Sequence, residues 1–347
     1  MNGLILFAGF IFFLWLGRSI LIPLLVATFF WYLINAISAY YRKVMPFKKP
    51  VGRRDVKWSH VFNWASNIFA AATLGAIMYL FATQVRPMFS ELLAALPDIQ
   101  HKLIELGNYL SNAIGLHFDS ELLPNITQIA KNVGTSAAGF ATSVGMIFVY
   151  LLFMFIEQST FHKKFAALFP NKKQSKKMQY IIGSIDDNMK KYLFMKTLLS
   201  AITGILSYFW LQIIGLEFAG VWAFIVFITS YIPTIGAIVA CGLPIIYALA
   251  IAPGLHLPIL TAAGLIGLQI LFGNILEPKL TGKTLNLSTL AILINLVFWG
   301  MIWGIAGMFF SVPLLVATFI ITAQFDSTRW IAVLLSADGN IPDKREE

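Results

Sequence analysis

Charge is scarce in this chain. Asp, Glu, Lys and Arg make up 12% of its 347 residues, while 58% are hydrophobic. Soluble domains carry roughly 25% charged residues. A water-exposed globule of this composition would leave much apolar surface uncovered, which excludes an ordinary soluble fold. Two stretches, 218–276 and 284–325, hold no Asp, Glu, Lys or Arg at all. Cysteine is nearly missing too. The single one, Cys241, excludes an intrachain disulfide framework and a cysteine zinc site.

Catalytic signatures are also missing. No H-E-x-x-H, G-x-x-x-x-G-K-[ST] or G-x-S-x-G occurs. Without a phosphate-binding loop the chain does not hydrolyse ATP by itself. The five His are scattered over loops and span ends, without metal-ligand spacing. Neither uncharged stretch supplies the acid pair that an intramembrane protease needs. These absences point away from an enzyme, and no metal or cofactor is expected.

What the chain has is apolar length. A membrane-crossing helix needs about 20 mostly apolar residues. Candidates lie at 4–16, 21–41, 61–83, 139–156 and 197–216, followed by the two uncharged stretches, each too long for one crossing. The opening "MNGLILFAGFIFFLWLG" lacks a basic n-region and an A-x-A-like cleavage site, so it reads as a retained span. The first uncharged stretch breaks at "YIPTIGAIVACGLP" and at "APGLHLP"; this predicts a hairpin over 220–251 and a span over 258–276. The second breaks at "FWGMIWGIAG", predicting a hairpin of 287–302 and 305–323. The expected fold is all-α and polytopic, with about seven to nine membrane segments. Whether the hairpins span fully or are re-entrant is open at this level.

The net charge of +9 is placed unevenly. Lysines and arginines crowd 42–60 and 162–196, whereas 84–138 carries Glu91, Asp98, Glu105, Asp119 and Glu121 against three cations. The positive-inside rule puts the first two loops in the cytoplasm and the third outside, with both termini cytoplasmic. The basic surplus then meets anionic lipid headgroups, and no nucleic acid partner is expected. The segment "FSELLAALPDIQHKLIELGNYL" has apolar residues at helical spacing; it reads as amphipathic helix outside, or as an arm between subunits. The resulting organisation is a hairpin and basic loop (1–60), a transmembrane pair around the outer segment (61–157), a basic loop (158–196), a core with two hairpins (197–325) and a tail (326–347).

The last third of the chain concentrates helix breakers: Pro233, Gly236, Pro244, Pro258, Pro278, Gly282, Gly300, Gly304, Gly307 and Pro313. Broken helices expose peptide groups that lipid cannot satisfy, so the breaks must be packed in protein or line a wet cavity. Such helices recur at transporter substrate sites. The alternative is close helix packing, which Gly300-x-x-x-Gly304 also suits. Each hairpin has a breaker near its midpoint and a second proline further on, a layout compatible with an inverted repeat. Polar side chains at depth are Gln212, Thr229, Ser230, Thr234, Tyr247, Gln269, Asn274, Asn295 and Ser311. They suit a neutral polar solute, or a neighbouring helix. Trp222, Trp299 and Trp303 suit ring stacking or interfacial anchoring. Glu277 closes an apolar run in "FGNILEP". It reads either as a cap or ion-pair partner of Lys279 or Lys283, or as a gate, with Asn274 one turn deeper and Pro278 ending the helix.

"SYIPTIGAIVACGLPIIYAL" and "LFGNILEPKLTGKTLNLSTLAILINLVFWGMIWGIAGMFFSVPLL" resemble the autoinducer-2 exporter (PerM-like permease) family, in particular its quorum-signal-transport subgroup. "ILIPLLVATFFWYLINAISAYY", "IDDNMKKYLFMKTLLSAITG" and "STRWIAVLL" extend the resemblance over most of the chain. It implies an inner-membrane permease that exports a small solute without ATP-binding subunits. Autoinducer-2 is the solute attached to the subgroup, while other members resemble sodium–proton antiporters. A homo-oligomer, with a pentamer as the candidate assembly, is also implied. The motif residues carried over are Pro233, Gly236, Asn274, Glu277, Pro278, Gly282, Gly304, Gly307 and Pro313; the subgroup usually has Asn where Thr234 stands. The reading is a secondary transporter working by alternating access, with Thr234, Gln269, Asn274, Glu277 and Asn295 along the pathway. The alternatives are a cation–proton antiporter using Glu277, and a scaffold without transport.

Overall fold

The computed structural model describes residues 2–44, 53–114, 143–158, 160–161, 164, 168, 171–281 and 286–341. The elements are α1 (Asn2–Leu16), α2 (Arg18–Val44), α3 (Arg53–Ile114), α4 (Ser143–Gln158), α5 (Lys172–Ile213), α6 (Ala219–Thr229), α7 (Ile235–Ile251) and α8 (His256–Gln269). A π-helical turn (Ile270–Leu276), α9 (Glu277–Thr281), α10 (Thr289–Ala323), a 3-10 turn (Asp326–Thr328) and α11 (Arg329–Leu335) follow. Five helical stretches are long and apolar enough to cross a membrane, and α4, α6 and α7 are shorter apolar helices. The fold is that of an all-α polytopic membrane protein.

Two expected loops are helical. Residues 172–196 continue directly into α5, because lysine is a good helix former and its charge is solvated where the helix leaves lipid. Likewise α3 runs unbroken from the span into the outer segment, through Pro87 and Pro97, over 62 residues. Glu91, Asp98 and Glu105 are exposed along it, while Val85, Leu92 and Ile99, at a seven-residue repeat, are buried. Residues 115–138 of the outer segment lie outside the described residues.

The chain divides into two compact units, cut within α3, α5 and α9. The first comprises Met1–Ala76, Ser143–Lys196 and Leu280–Glu347. In it α2 is tied to α4 by a closed set of side-chain bonds. Trp31 Nε1 donates to Gln158 Oε1, Gln158 Nε2 to Asn35 Oδ1, and Asn35 Nδ2 to the Trp31 carbonyl. The Phe29 ring meets Phe309 edge-on at 5.3 Å, joining α2 to α10. The expected tail is folded: α11 packs on α10. Its end returns to the start of α10, where Ser288 N–H donates to the Leu335 carbonyl and Ala337 N–H to the Asn286 carbonyl. Asn286 Nδ2 also donates to Asp338 Oδ1 at 2.6 Å.

The second unit comprises Ile77–Thr142 and Thr197–Lys279. Val85, Leu92 and Ile99 join its core with Leu211, Trp222, Tyr247 and Leu265. Residues 85–99 of α3 therefore pack on their own chain. Small residues let the helices approach. On α5, Gly204 lies against Ala223 and Phe227 of α6. Trp210 lies across Gly264 of α8, and its Nε1 donates to the Leu260 carbonyl at 3.1 Å.

Gly264→Ala places a methyl inside the Trp210 indole. It should lower the thermal unfolding midpoint in detergent by several degrees, and far less in a Trp210→Ala background; equal losses in both would refute this packing. Asp338 supplies a second test. Hydrogen bonds from the Asn286 and then the Asn340 side chains hold its carboxyl below the usual 3.8. Its contribution is thus present above that pH and lost as pH falls through the lowered value. Hydrogen exchange in α11, corrected for intrinsic rates, should rise at that acid step, and Asn286→Ala should abolish the step.

Candidate functional site

Local chemistry interrupts the helices at two tips, one in each unit, and widens a third helix. In the second unit α6 stops at Thr229. The hydroxyls of Thr229 and Ser230 donate to their own helix, at Ile225 and Val226 carbonyls, both at 2.6 Å. A hydroxyl in apolar surroundings finds its nearest acceptor one turn back. These two residues are therefore engaged locally. The chain then reverses at Thr234, whose φ is 60° and ψ −62°. Ile235 N–H donates to the Pro233 carbonyl at 2.6 Å, closing a γ-turn of the positive-φ form, the rarer and more strained one. Thr234 is exposed, whereas Gly236 is buried. A Cβ at Gly236 would overlap the Thr229 carbonyl, so only glycine lets α7 leave so close to the end of α6. Tyr231 OH donates to Thr197 Oγ1 at 2.8 Å, which pins this tip to α5.

The "FGNILEP" stretch holds the widened helix. Residues Ile270–Leu276 form a π-helical turn, and Glu277 N–H reaches back to the Phe272 carbonyl. π-turns are rare and frequent at functional sites. Pro278 supplies the physical reason. It has no N–H to return to the preceding turn, and its ring crowds that turn. The wider turn lets the helix continue, so Pro278 sits in the first turn of α9 and does not end the helix as expected. Pro278 has no N–H to offer the carbonyls of the widened turn, so one of them loses its usual partner. Gln269 lies along the same turn, with its Nε2 against Gly273. Asn274 and Pro278 are exposed and Glu277 half-buried. Two amides, a freed carbonyl and a carboxylate thus gather within one widened turn. Lys283 and Gly282 lie outside the described residues.

In the first unit α10 doubles back on itself. Residues 295 and 311 would stand about 24 Å apart in a straight helix. Instead Asn295 Nδ2 donates to the Ser311 carbonyl at 2.6 Å. The reversal is at Gly304, with φ 62° and ψ −140°, a conformation open in practice to glycine alone. Gly307 is buried, and a Cβ there would overlap the Trp299 carbonyl. Both tips therefore share one device: a positive-φ residue, then a glycine seated on the last carbonyls of the incoming helix. Gly300, expected as a break, is helical and is covered by Met308.

Several candidates turn out to be braces. Asn295 Oδ1 accepts from Trp299 Nε1 at 3.1 Å, so both ends of its amide are engaged inside the hairpin. Trp303 Nε1 donates to the Leu14 carbonyl, and Trp222 Nε1 to that of Glu217. Tyr247 OH donates to Glu217 Oε2 at 2.9 Å. Gln212 lies on the exposed side, next to Tyr208 OH. Pro244 and Pro313 do not break their helices: α7 and the outgoing part of α10 run through them, and Pro244 is fully buried. Packed neighbours hold a proline-bearing helix together in an apolar environment. The sequence reading missed Thr197 and the Trp31–Asn35–Gln158 set; only the spacing of hydroxyl and amide residues on one helix face hinted at them.

Helices that break in apolar surroundings, with amides at a widened turn, are the arrangement that recurs at the substrate sites of membrane transporters. The family profile described as AI-2E family transporter matches residues 4–327, and the chain belongs to that family. It is 28% identical over 329 residues to the AI-2 transport protein TqsA of Escherichia coli (strain K12), covering 92% of this chain and 90% of TqsA. It is 27% identical to a candidate transport protein, YhhT, of the same organism, over 86% of this chain and 82% of that one. A candidate transport protein of Borreliella burgdorferi is 33% identical over 62% of this chain and 58% of its own length.

Thr234→Gly should raise stability by about 1 kcal/mol. The strain released is of order 1–3 kcal/mol, and the added chain entropy of glycine offsets roughly 0.5–1 kcal/mol of it. Thermal unfolding in detergent measures the difference, and a loss of stability would rule out the strained turn.

Proposed function

We propose that this chain is an inner-membrane secondary transporter that exports a small neutral polar solute, with autoinducer-2 as the leading candidate. The name of TqsA supports the solute, and the chain aligns with nearly all of that relative. The observation that carries the reading is the widened turn at 270–276. There Gln269 and Asn274 offer amide groups and Pro278 frees a carbonyl, beside a stretch without charge. Neutral donors and acceptors match a neutral polyol.

Movement resides in the two tips. Thr234 with Pro233 and Gly236 forms one, Gly304 with Gly307 the other, and alternating access proceeds by rearrangement within each tip. The incoming helix of the first tip, α6, has 11 residues and reaches about 16 Å, half a hydrocarbon core, which supports re-entry. Asn295 serves this mechanism as the brace of the second hairpin. Both termini are cytoplasmic, as the lysine-rich segments favour. The working form is a homo-oligomer, for which a pentamer is the assembly to test. Glu277 stands at the rim of the turn, and a cation–proton antiporter would depend on it.

Efflux from proteoliposomes, with autoinducer-2 and separately with sodium at set pH gradients, distinguishes these readings. Asn274→Ala should lower autoinducer-2 efflux about three- to tenfold, the worth of one neutral hydrogen bond, at unchanged membrane abundance. Normal efflux by that variant would sink the site assignment. Glu277→Gln should leave autoinducer-2 efflux within about twofold, since the solute carries no charge to pair. Loss of a pH-driven sodium exchange in Glu277→Gln would transfer the reading to the antiporter.

A further inference from the structure

Helix α11 is tethered at both ends to the same hairpin. It leaves the outgoing end of α10 through the 3-10 turn Asp326–Thr328, and Ser336 pairs with Leu287 at the incoming end of α10. Its seven residues span about 10 Å, the usual separation of two packed helices. It therefore bridges the two limbs across their base, and it is too short to cross a membrane. One face, at Ala332, is fully buried. Trp330, Val333 and Leu334, at i, i+3 and i+4, form the other face, exposed by 62%, 44% and 68%.

A cationic group stands at the turn into α11. The Lys177 ammonium stands 4.7 Å from the ring centre of Phe325, at the turn into α11. Lys176 beside it is exposed. Arg329 opens α11 itself. Two acids are near in sequence, Asp326 and Asp338, but Asp338 faces the clasp, where Asn286 and Asn340 donate to it.

We propose that α11 is an interfacial anchor. Trp330, Val333 and Leu334 enter the boundary between headgroups and acyl chains, and Lys176 and Lys177 hold an anionic phospholipid headgroup beside them. Continuity with a membrane-spanning limb places the apolar face at lipid level. Tryptophan at an interface and lysines beside anionic headgroups are each favourable there, the latter by about 1 kcal/mol per cation. Because α11 closes the base of the second hairpin, lipid binding at this face also fixes the spacing of the two limbs.

The test uses the full chain in vesicles of phosphatidylcholine, with and without phosphatidylglycerol. Cys241→Ser removes the one native thiol, and Leu334→Cys carries an environment-sensitive fluorophore. Doxyl groups placed at the headgroup–acyl boundary are expected to quench the label several-fold more than aqueous iodide does. The double substitution Lys176→Gln, Lys177→Gln is expected to remove the part of that quenching that depends on phosphatidylglycerol. Efficient iodide quenching without doxyl quenching overturns the anchor. A label shielded from both quenchers, with cross-linking between copies through position 334, overturns it in favour of a subunit contact. Unchanged phosphatidylglycerol dependence in the lysine variant overturns the headgroup assignment. Val333→Cys provides the same readings should Leu334→Cys fail to fold.

Discussion

A peptide group without a partner costs several kcal/mol in lipid, and every interruption in this protein is shaped by that cost. At the first tip the Thr229 carbonyl accepts from Ile232 N–H, and Gly236 seats directly above it. At the second, Gly307 seats on the Trp299 carbonyl, while the Ser311 carbonyl takes the Asn295 amide. At 270–276 the helix widens so that Glu277 N–H reaches Phe272. Four threonine hydroxyls obey the same constraint: those of Thr203, Thr261, Thr318 and Thr322 each turn back on their own helix, whereas the Ser38, Ser200 and Ser207 hydroxyls are buried without a partner. What remains open to a solute is the small set of polar groups that the fold does not engage in this way.

That constraint separates hinges from braces. Thr234 is exposed on a strained turn, and Asn274 is exposed on a widened one. In the proposed transport cycle these are the two that move or bind. Asn295, Trp299 and Trp303 are bonded across their hairpin or to α1, and hold it. The usual Asn at position 234 in the resembled subgroup gains a backbone explanation here. Asparagine tolerates positive φ several-fold better than a β-branched residue, so threonine makes this tip the more strained version.

The breaks themselves were legible in the sequence, at "YIPTIG" and "FWGMIWGIAG", because proline and glycine act on their own backbone. So were the apolar spans and the placement of charge. Other prolines misled for a physical reason. Whether a missing N–H breaks a helix depends on what packs beside it, and Pro244 is buried within an intact α7. The polar residues misled similarly: residue type shows that Asn295 can bond a solute, but not that the Ser311 carbonyl has already taken its amide. Lysines between 172 and 196 read as a loop by charge, although their helix propensity carried them into α5.

The sequence by itself determined that this protein lives in a membrane, which segments are apolar, and where two hairpins reverse. Those properties depend on composition and on single residues. Only the tertiary structure decided that α3 continues for 62 residues and packs on its own chain, that α11 closes the base of a hairpin, and that the hairpins fall in different compact units. It also decided which amides are engaged and which face outward. Those outcomes rest on contacts between residues far apart in the chain, and no local pattern specifies which partner a hydrogen-bonding group will meet.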